Sequence, residues 1–283
     1  MKTEPLISLR RIANGPSVKP TGEARPLDGV RVLDLTRVLA GPTSTKVLAS
    51  HGAQVLRINR KDLADSGFFD LDTGLGKRSA YLDLRVDQDR SIMAELLQTC
   101  DVLVQAYRPG ALAALGYSSD KLSGRFPGMI MVNLCAWGFS GPWRARRGYD
   151  TVVQAANGLA WRPDNAKPRF LPVAAQDYLA GYLMAFGAMA ALWKRTQEGG
   201  SWEVNVSLAG VGEWFRSQGM LAESDIVSLP DEISAATLDA ILGQSDSVAG
   251  RLSHLRAMPQ MSLTPARWNQ PAVPMGHHPP TWV

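Results

Sequence analysis

A chain of 283 residues with 45% apolar content can bury a large core, as one big domain or two small ones. Its formal charge of +4 comes from scattered basic residues, clustered only at Arg10 and Arg11 and from Arg144 to Arg147, which does not make a nucleic-acid surface. The cysteines, Cys100 and Cys135, stand far apart without C-x-x-C spacing, so neither a disulfide framework nor a metal site is expected, and a reducing cytoplasm fits.

Residues 1–27 mix Pro, Gly, Arg and Lys without apolar periodicity and read as a linker-like arm, with no apolar leader for export. From 28 to 220, short β-branched runs alternate with helical patterns. VRVLDLT (Val30–Thr36) reads as a strand, GPTSTKVLASHG as a helix with Pro42 in its first turn and Gly52 as its stop, and AQVLRINR as the next strand. DQDRSIMAELLQTC is a helix with an acidic start, DVLVQA and MIMVNLCAW are strands, and PGALAALG is a short helix between these two. A long buried helix is predicted from Gln176 to about Thr196, followed by a strand, SWEVNVS, and a helix from Leu208 to Ser217. The apolar run Tyr178–Trp193 carries Gly181 and Gly187 and is shorter than the ~20 residues that cross a bilayer, so no membrane contact is expected. Residues 221–283 have room for a helix or two and a proline-rich, extended return. The alternation builds an α/β fold, an open, Rossmann-like parallel sheet with helices on both faces.

The strand, helix, strand opening invites a dinucleotide site, but the turn after the first strand, TRVLAGP, lacks the G-x-G-x-x-G that lets a backbone approach pyrophosphate. At the end of the second strand, Asn59 and Arg60 stand where an NAD enzyme places an acid on the ribose. A cation there suits a phosphorylated ribose, as in NADP or coenzyme A, or is an ordinary solvated strand end. Further on, Asp177 heads an apolar helix with no other charge before Lys194. At a helix start it is either a cap or a functional carboxylate.

RVLDLTRVLAGP (Arg31–Pro42), GKRSAYLDL (Gly76–Leu84), YRPGALAALGY (Tyr107–Tyr117), GPWRARRGYDTVVQAANGL (Gly141–Leu159) and the stretch around Asp177 together resemble the class III coenzyme A transferases, the family of formyl-CoA transferase and carnitine CoA-transferase. The resemblance runs from about Pro26 to Ser217, with a fainter echo in TPARW and PMGHHPP. It implies a CoA-binding large domain and makes Asp177 a nucleophile that passes through a mixed anhydride and an aspartyl-CoA thioester, with no ATP, metal or tightly bound cofactor. The helix start would favour the ionised carboxylate, and Gly181, one turn on, would leave room for a thioester.

By the same matching, the CoA contacts are Arg37, Val38, Leu39, Ala40, Arg60, Lys77, Ala106, Tyr107, Leu115, Arg147 and Tyr149. Leu39 departs from the glutamine of formyl-CoA transferase, and Ala106 and Ala114 replace polar or cationic contacts, so the acids themselves are not implied. Tyr149 stands where the related α-methylacyl-CoA racemases carry a histidine, which favours transfer over racemisation. Family members also bear a small second domain that covers the partner's site in an interlocked dimer, and the few dozen residues between Met220 and Ser253 are too few for it. The resemblance therefore implies a homodimer, or a hetero-oligomer with a chain bearing the small domain. A non-catalytic CoA-binding subunit is the alternative, and an NADP-dependent reductase a distant third.

Overall fold

Runs of Val, Ile and Leu that are buried on both faces need cover above and below, and the chain supplies it by returning through a helix after most strands. The computed structural model describes residues 4–19, 24–63, 67–162, 167–171, 173–221, 223–230 and 232–283. The first half contains β1 (Ser8–Ala13), β2 (Arg31–Asp34), α1 (Ala40–Ser50), β3 (Gln54–Asn59), α2 (Phe68–Thr73), β4 (Lys77–Tyr81), α3 (Asp87–Gln98), β5 (Val102–Gln105), α4 (Ala111–Ala114) and α5 (Ser119–Arg125). The second half contains β6 (Ile130–Cys135), α6 (Asp150–Ala156), α7 (Ala175–Glu198), β7 (Ser201–Ser207), α8 (Leu208–Ser217), α9 (Glu223–Ile226), α10 (Ala235–Ile241), β8 (Leu242–Ser247) and β9 (Gly250–Leu255).

The strands from β2 to β7 form a parallel sheet in the order β7-β6-β5-β2-β3-β4, and β1 joins antiparallel at the β7 edge. Val32, Val55, Val104, Val132 and Val204 point to one face, where α1 and α7 cover them. Leu33, Leu56, Leu103 and Met131 point to the other, against Met93 and Leu97 of α3, Leu112 of α4 and Leu122 of α5. The fold is thus the expected open α/β sheet with helices on both faces. Among the described residues, no helix is long and apolar enough to cross a membrane.

Three segments differ from expectation. The arm expected over 1–27 supplies β1, an edge strand held by backbone pairing from Ser8–Asn205 to Ala13–Ser201 and by an Arg10–Glu203 ion pair at 2.8 Å. Its solvent-facing arginines hide the alternation, because an edge strand needs little apolar content. GKRSAY, to which the sequence pattern assigns no element, is strand β4, and the stretch after Met220, expected as a helix or two and an extended return, also holds the β8–β9 hairpin. Beyond it the chain returns in extended form: Arg267 donates its N–H to Ser50, the Trp268 indole to the Lys46 carbonyl, His278 its N–H to Ser79, and the Trp282 indole to the Leu96 carbonyl. The histidines of GHHPP are thereby fastened along β4, with the Ser79 N–H also donating to His278 Nδ1 at 3.2 Å.

The closest helix contact on the sheet is between α1 and α7, and a glycine permits it. A Cβ on Gly181 would lie 2.6 Å from the Ala40 carbonyl oxygen and 2.8 Å from Thr43 Cβ. Gly181 therefore serves helix packing, not the clearance for a thioester that the sequence suggested. Gly181→Ala should destabilise the protein by about 1–2 kcal/mol in urea unfolding, because overpacking outweighs the better helix propensity of alanine. A variant as stable as the wild type would show that α1 and α7 part without cost.

Candidate active site

The chain order β2, β3, β4 runs one way across the sheet and β5, β6, β7 the other, so the direction reverses between β2 and β5. Ligands of open α/β sheets bind outside the carboxyl ends of the strands at such a reversal. Arg37, Val38, Leu39 and Ala40 follow β2, Ala106 and Tyr107 follow β5, and Arg60 follows β3, so these expected contacts share one crevice. Burial raises the Tyr107 phenol above its ordinary pKa while the charges of Arg37 and Arg60 pull it back, which places both cations within electrostatic reach of the ring. Arg60 pairs with Asp62.

The β2–α1 loop is anchored by a buried acid. Asp34 ends β2 fully buried; its Oδ1 accepts the Thr36 N–H at 2.9 Å and the Thr36 hydroxyl, and its Oδ2 accepts the Thr45 hydroxyl and the Lys77 ammonium at 3.0 Å. Burial opposes the charge on Asp34, but Lys77 and the two hydroxyls outweigh it and hold the carboxyl below its ordinary value. Lys77 also donates to the Pro42 carbonyl at 2.7 Å and is only 1% exposed. Lys77, expected among the CoA contacts, here has its ammonium bonded inside the fold, where burial pulls it down to about 8. Within the loop so fixed, Val38 adopts φ 70°, a left-handed conformation that β-branched residues rarely take.

Asp177 lies in the first turn of α7, one turn before the Gly181 contact with Ala40, which sets it over the start of α1. It is not the cap: Ala174 holds that position and makes no side-chain capping bond. The Asp177 N–H is instead taken by Asp150, whose Oδ2 accepts it at 3.0 Å. Asp150 is buried at the start of α6, with Oδ1 accepting from the Gln154 amide. Burial and the Asp150 carboxylate push Asp177 up to about 7, opposite in direction to the anion-favouring effect expected of the helix start. Asp177 is 9% exposed, so its carboxyl borders solvent without being freely hydrated.

Asp150 is the residue that sequence reasoning passed over, although it stands in the quoted GYD. The loop before it folds back tightly: the Trp137 indole donates to the Arg147 carbonyl at 3.1 Å, and a Cβ on Gly148 would lie 2.6 Å from Ala136 Cβ. Arg147 and Tyr149 project outward from this loop, Tyr149 with 63% exposure, and Arg108 donates to the Ala145 carbonyl at 3.5 Å, joining the loop to the YRPG turn. Leu115 is exposed at the far end of α4. The thiols of Cys100 and Cys135 are buried and pushed up to about 12, too high to supply a thiolate near neutrality.

The raised pKa of Asp177 has a sign that can be read in stability. Between its unfolded value of 3.8 and its folded value of about 7, the folded chain binds more protons, so this residue costs stability progressively as pH rises through that window. Asp177→Asn removes the buried charge. The variant should be more stable than the wild type at pH 8, by an amount on the order of a few kcal/mol, with the gap closing towards pH 4. Melting curves with no pH-dependent gap would mean that Asp177 keeps its unfolded pKa in the fold.

The sequence profile of CoA-transferase family III matches residues 27–238. The acetyl-coenzyme A transferase nodX of Hypoxylon pulicicidum is 34% identical over 213 residues, which are 72% of this chain and 36% of that protein. Human succinyl-CoA:glutarate CoA-transferase is 34% identical over 181 residues, 59% of this chain and 41% of its own length. A crystal structure of the Rv3272 protein of Mycobacterium tuberculosis superposes with a TM-score of 0.65 at 33% identity, covering 69% of this chain and 57% of that one. The chain thus spans less than half the length of these two curated relatives. The matched segment takes in all strands from β2 to β7, the crevice at the sheet reversal and the buried Asp34, Asp150 and Asp177, and on that ground the chain belongs to CoA-transferase family III.

Proposed function

We propose that the chain binds CoA thioesters in the crevice between β2 and β5 and transfers CoA between an acyl-CoA and a carboxylic acid, with Asp177 as nucleophile. The observation that supports this reading is the position of Asp177 in the first turn of α7, one turn before the Gly181 contact with Ala40, with its carboxyl pushed up to about 7. In the first exchange, a carboxylate oxygen of Asp177 attacks the thioester carbonyl and CoA thiolate leaves, giving an acyl-aspartyl anhydride. The thiolate then attacks the aspartyl carbonyl and the donor acid departs, leaving an aspartyl-CoA thioester. An acceptor carboxylate repeats the two steps in reverse and frees Asp177. Each step exchanges one acyl bond for another and no net proton is taken up, so no outside energy source is needed. Arg37 and Arg60 supply positive charge for the phosphates, with the Tyr107 ring within electrostatic reach of both. Among the curated relatives, one is named for transfer between succinyl-CoA and glutarate, which supports carboxylic acids as acceptors here.

The attacking species is the carboxylate, so turnover should rise with pH through about 7. Asp150→Asn removes the neighbouring charge yet keeps an amide oxygen for the Asp177 N–H, and it should move that rising limb to lower pH. An unmoved limb would assign the shift to burial alone. Quenching the wild type with hydroxylamine during turnover should leave a hydroxamate on Asp177, found by peptide mass spectrometry. Wild-type transfer by Asp177→Asn would remove the residue from the reaction.

The second reading, a CoA-binding chain that needs a partner, has support of its own. The outer face of α7 exposes Tyr182, Phe186 and Trp193, and the segment after α8 exposes Met220, Leu221, Val227, Leu229 and Ile233. Apolar surface on this scale marks an interaction site. A chain that carries the portions its relatives have in excess should therefore raise turnover much more than CoA affinity, since excluding water protects an anhydride more than it adds contacts. Full turnover by the purified chain, with no second polypeptide, would make the short form a complete enzyme.

A further inference from the structure

The turn after β6 binds a carboxylate that the transfer site does not use. Glu4, four residues before β1, reaches across to residues 138–141. The Phe139 N–H donates to both Glu4 oxygens at 3.1 Å, the Ser140 N–H donates to Oε1 at 2.8 Å, and the Ser140 hydroxyl donates to the same oxygen. Gly138 at φ 97° and Gly141 at φ 78° flank these donors. Alternation of left-handed and ordinary residues turns successive N–H groups to one side, which makes an anion-binding concavity. A Cβ on Gly138 would stand 2.8 Å from Glu4 Oε2, so only glycine there lets a carboxylate approach.

We propose that this turn is a binding site for the carboxylate of a small organic acid, and that Glu4 is an internal competitor that fills it in the free chain. The donor set is that of a carboxylate cradle: two adjacent backbone N–H groups and a hydroxyl meet one group, at a turn that borders solvent. The occupant is tethered, because Glu4 is joined to the edge strand only through Pro5, Leu6 and Ile7, and a short tether presents a group at an effective concentration in the millimolar range. An acid at comparable concentration therefore competes with it. The turn opens the loop that closes on Asp150, so an acid seated there lies on the segment that holds the Asp177 N–H.

The test reads binding without CoA, so its outcome is separate from that of the transfer reading. Succinate is titrated into the full chain at constant ionic strength, and the Phe139 and Ser140 amide resonances are followed by NMR. If Glu4 fills the cradle nine tenths of the time, the competent fraction is about one tenth, and removing the competitor should lower the apparent Kd about tenfold. Glu4→Ala should show that gain, and Glu4→Gln, which keeps the bulk of the side chain and loses its charge, should show part of it. Adding Ser140→Ala to either should cancel the gain. Wild type and both Glu4 variants titrating alike, or shifts absent from Phe139 and Ser140, would overturn the proposal and leave Glu4 as a strut for β1. The paired Glu4→Gln variant decides the matter even if truncation to alanine loosens the edge strand.

Discussion

The buried carboxylate of Asp34 is the interaction on which the site depends. It stands at the carboxyl end of β2, where the sheet reverses direction, and collects donors from three separate elements: Thr36 in the loop, Thr45 in α1 and Lys77 in β4. Lys77 then reaches the Pro42 carbonyl, so both ends of the loop Leu35–Leu39 are pinned to the same group. A left-handed valine costs on the order of 1–3 kcal/mol and persists only where the surroundings over-determine it. The Asp34 network is that surrounding for Val38. The geometry then propagates: the loop sets where α1 starts, Ala40 and Thr43 meet Gly181, and the Gly181 contact sets the height of Asp177 above the crevice.

Two buried acids in one protein are treated in opposite ways. Asp34 has hydrogen bonds and a cation enough to hold its carboxyl below the ordinary value, and so it is structural. Asp177 has burial and a second carboxylate against it, with its backbone N–H bonded to that same carboxylate. A group held in place by its backbone can keep its side-chain oxygens uncommitted, as the nucleophile proposed above requires. The cost is a charge that is only marginally favoured near neutrality. Position and reactivity are thus supplied by different parts of Asp150: its hydrogen bond orients α7, and its charge raises the pKa.

Much of this was legible in the sequence, and the exceptions share a cause. β2, β3, β5, β6 and β7 declare themselves because strands buried on two faces must be apolar and β-branched. β1 is silent because pairing along an edge is made by backbone groups that leave no trace in side-chain pattern. Lys77 reads as a solvated cation because nothing near it in sequence hints at Asp34, forty-three residues earlier. Asp150 escapes for the same reason: its partner lies twenty-seven residues on. Gly181 was noticed but misassigned, since a glycine looks the same in sequence whether it clears space for a ligand or for a helix. What periodicity reveals is burial, and what it conceals is which buried polar groups find each other.

The electrostatics of Asp177 constrain anything that covers it. Excluding water from the crevice protects an anhydride, but it also deepens the desolvation of the carboxylate and strengthens the repulsion from Asp150. Both effects raise a pKa that already stands at about 7. A cover made only of apolar side chains would therefore favour protonation of Asp177 as it closed, against the proposed attack by its carboxylate. A productive cover has to bring hydrogen-bond donors or positive charge to the mouth of the crevice.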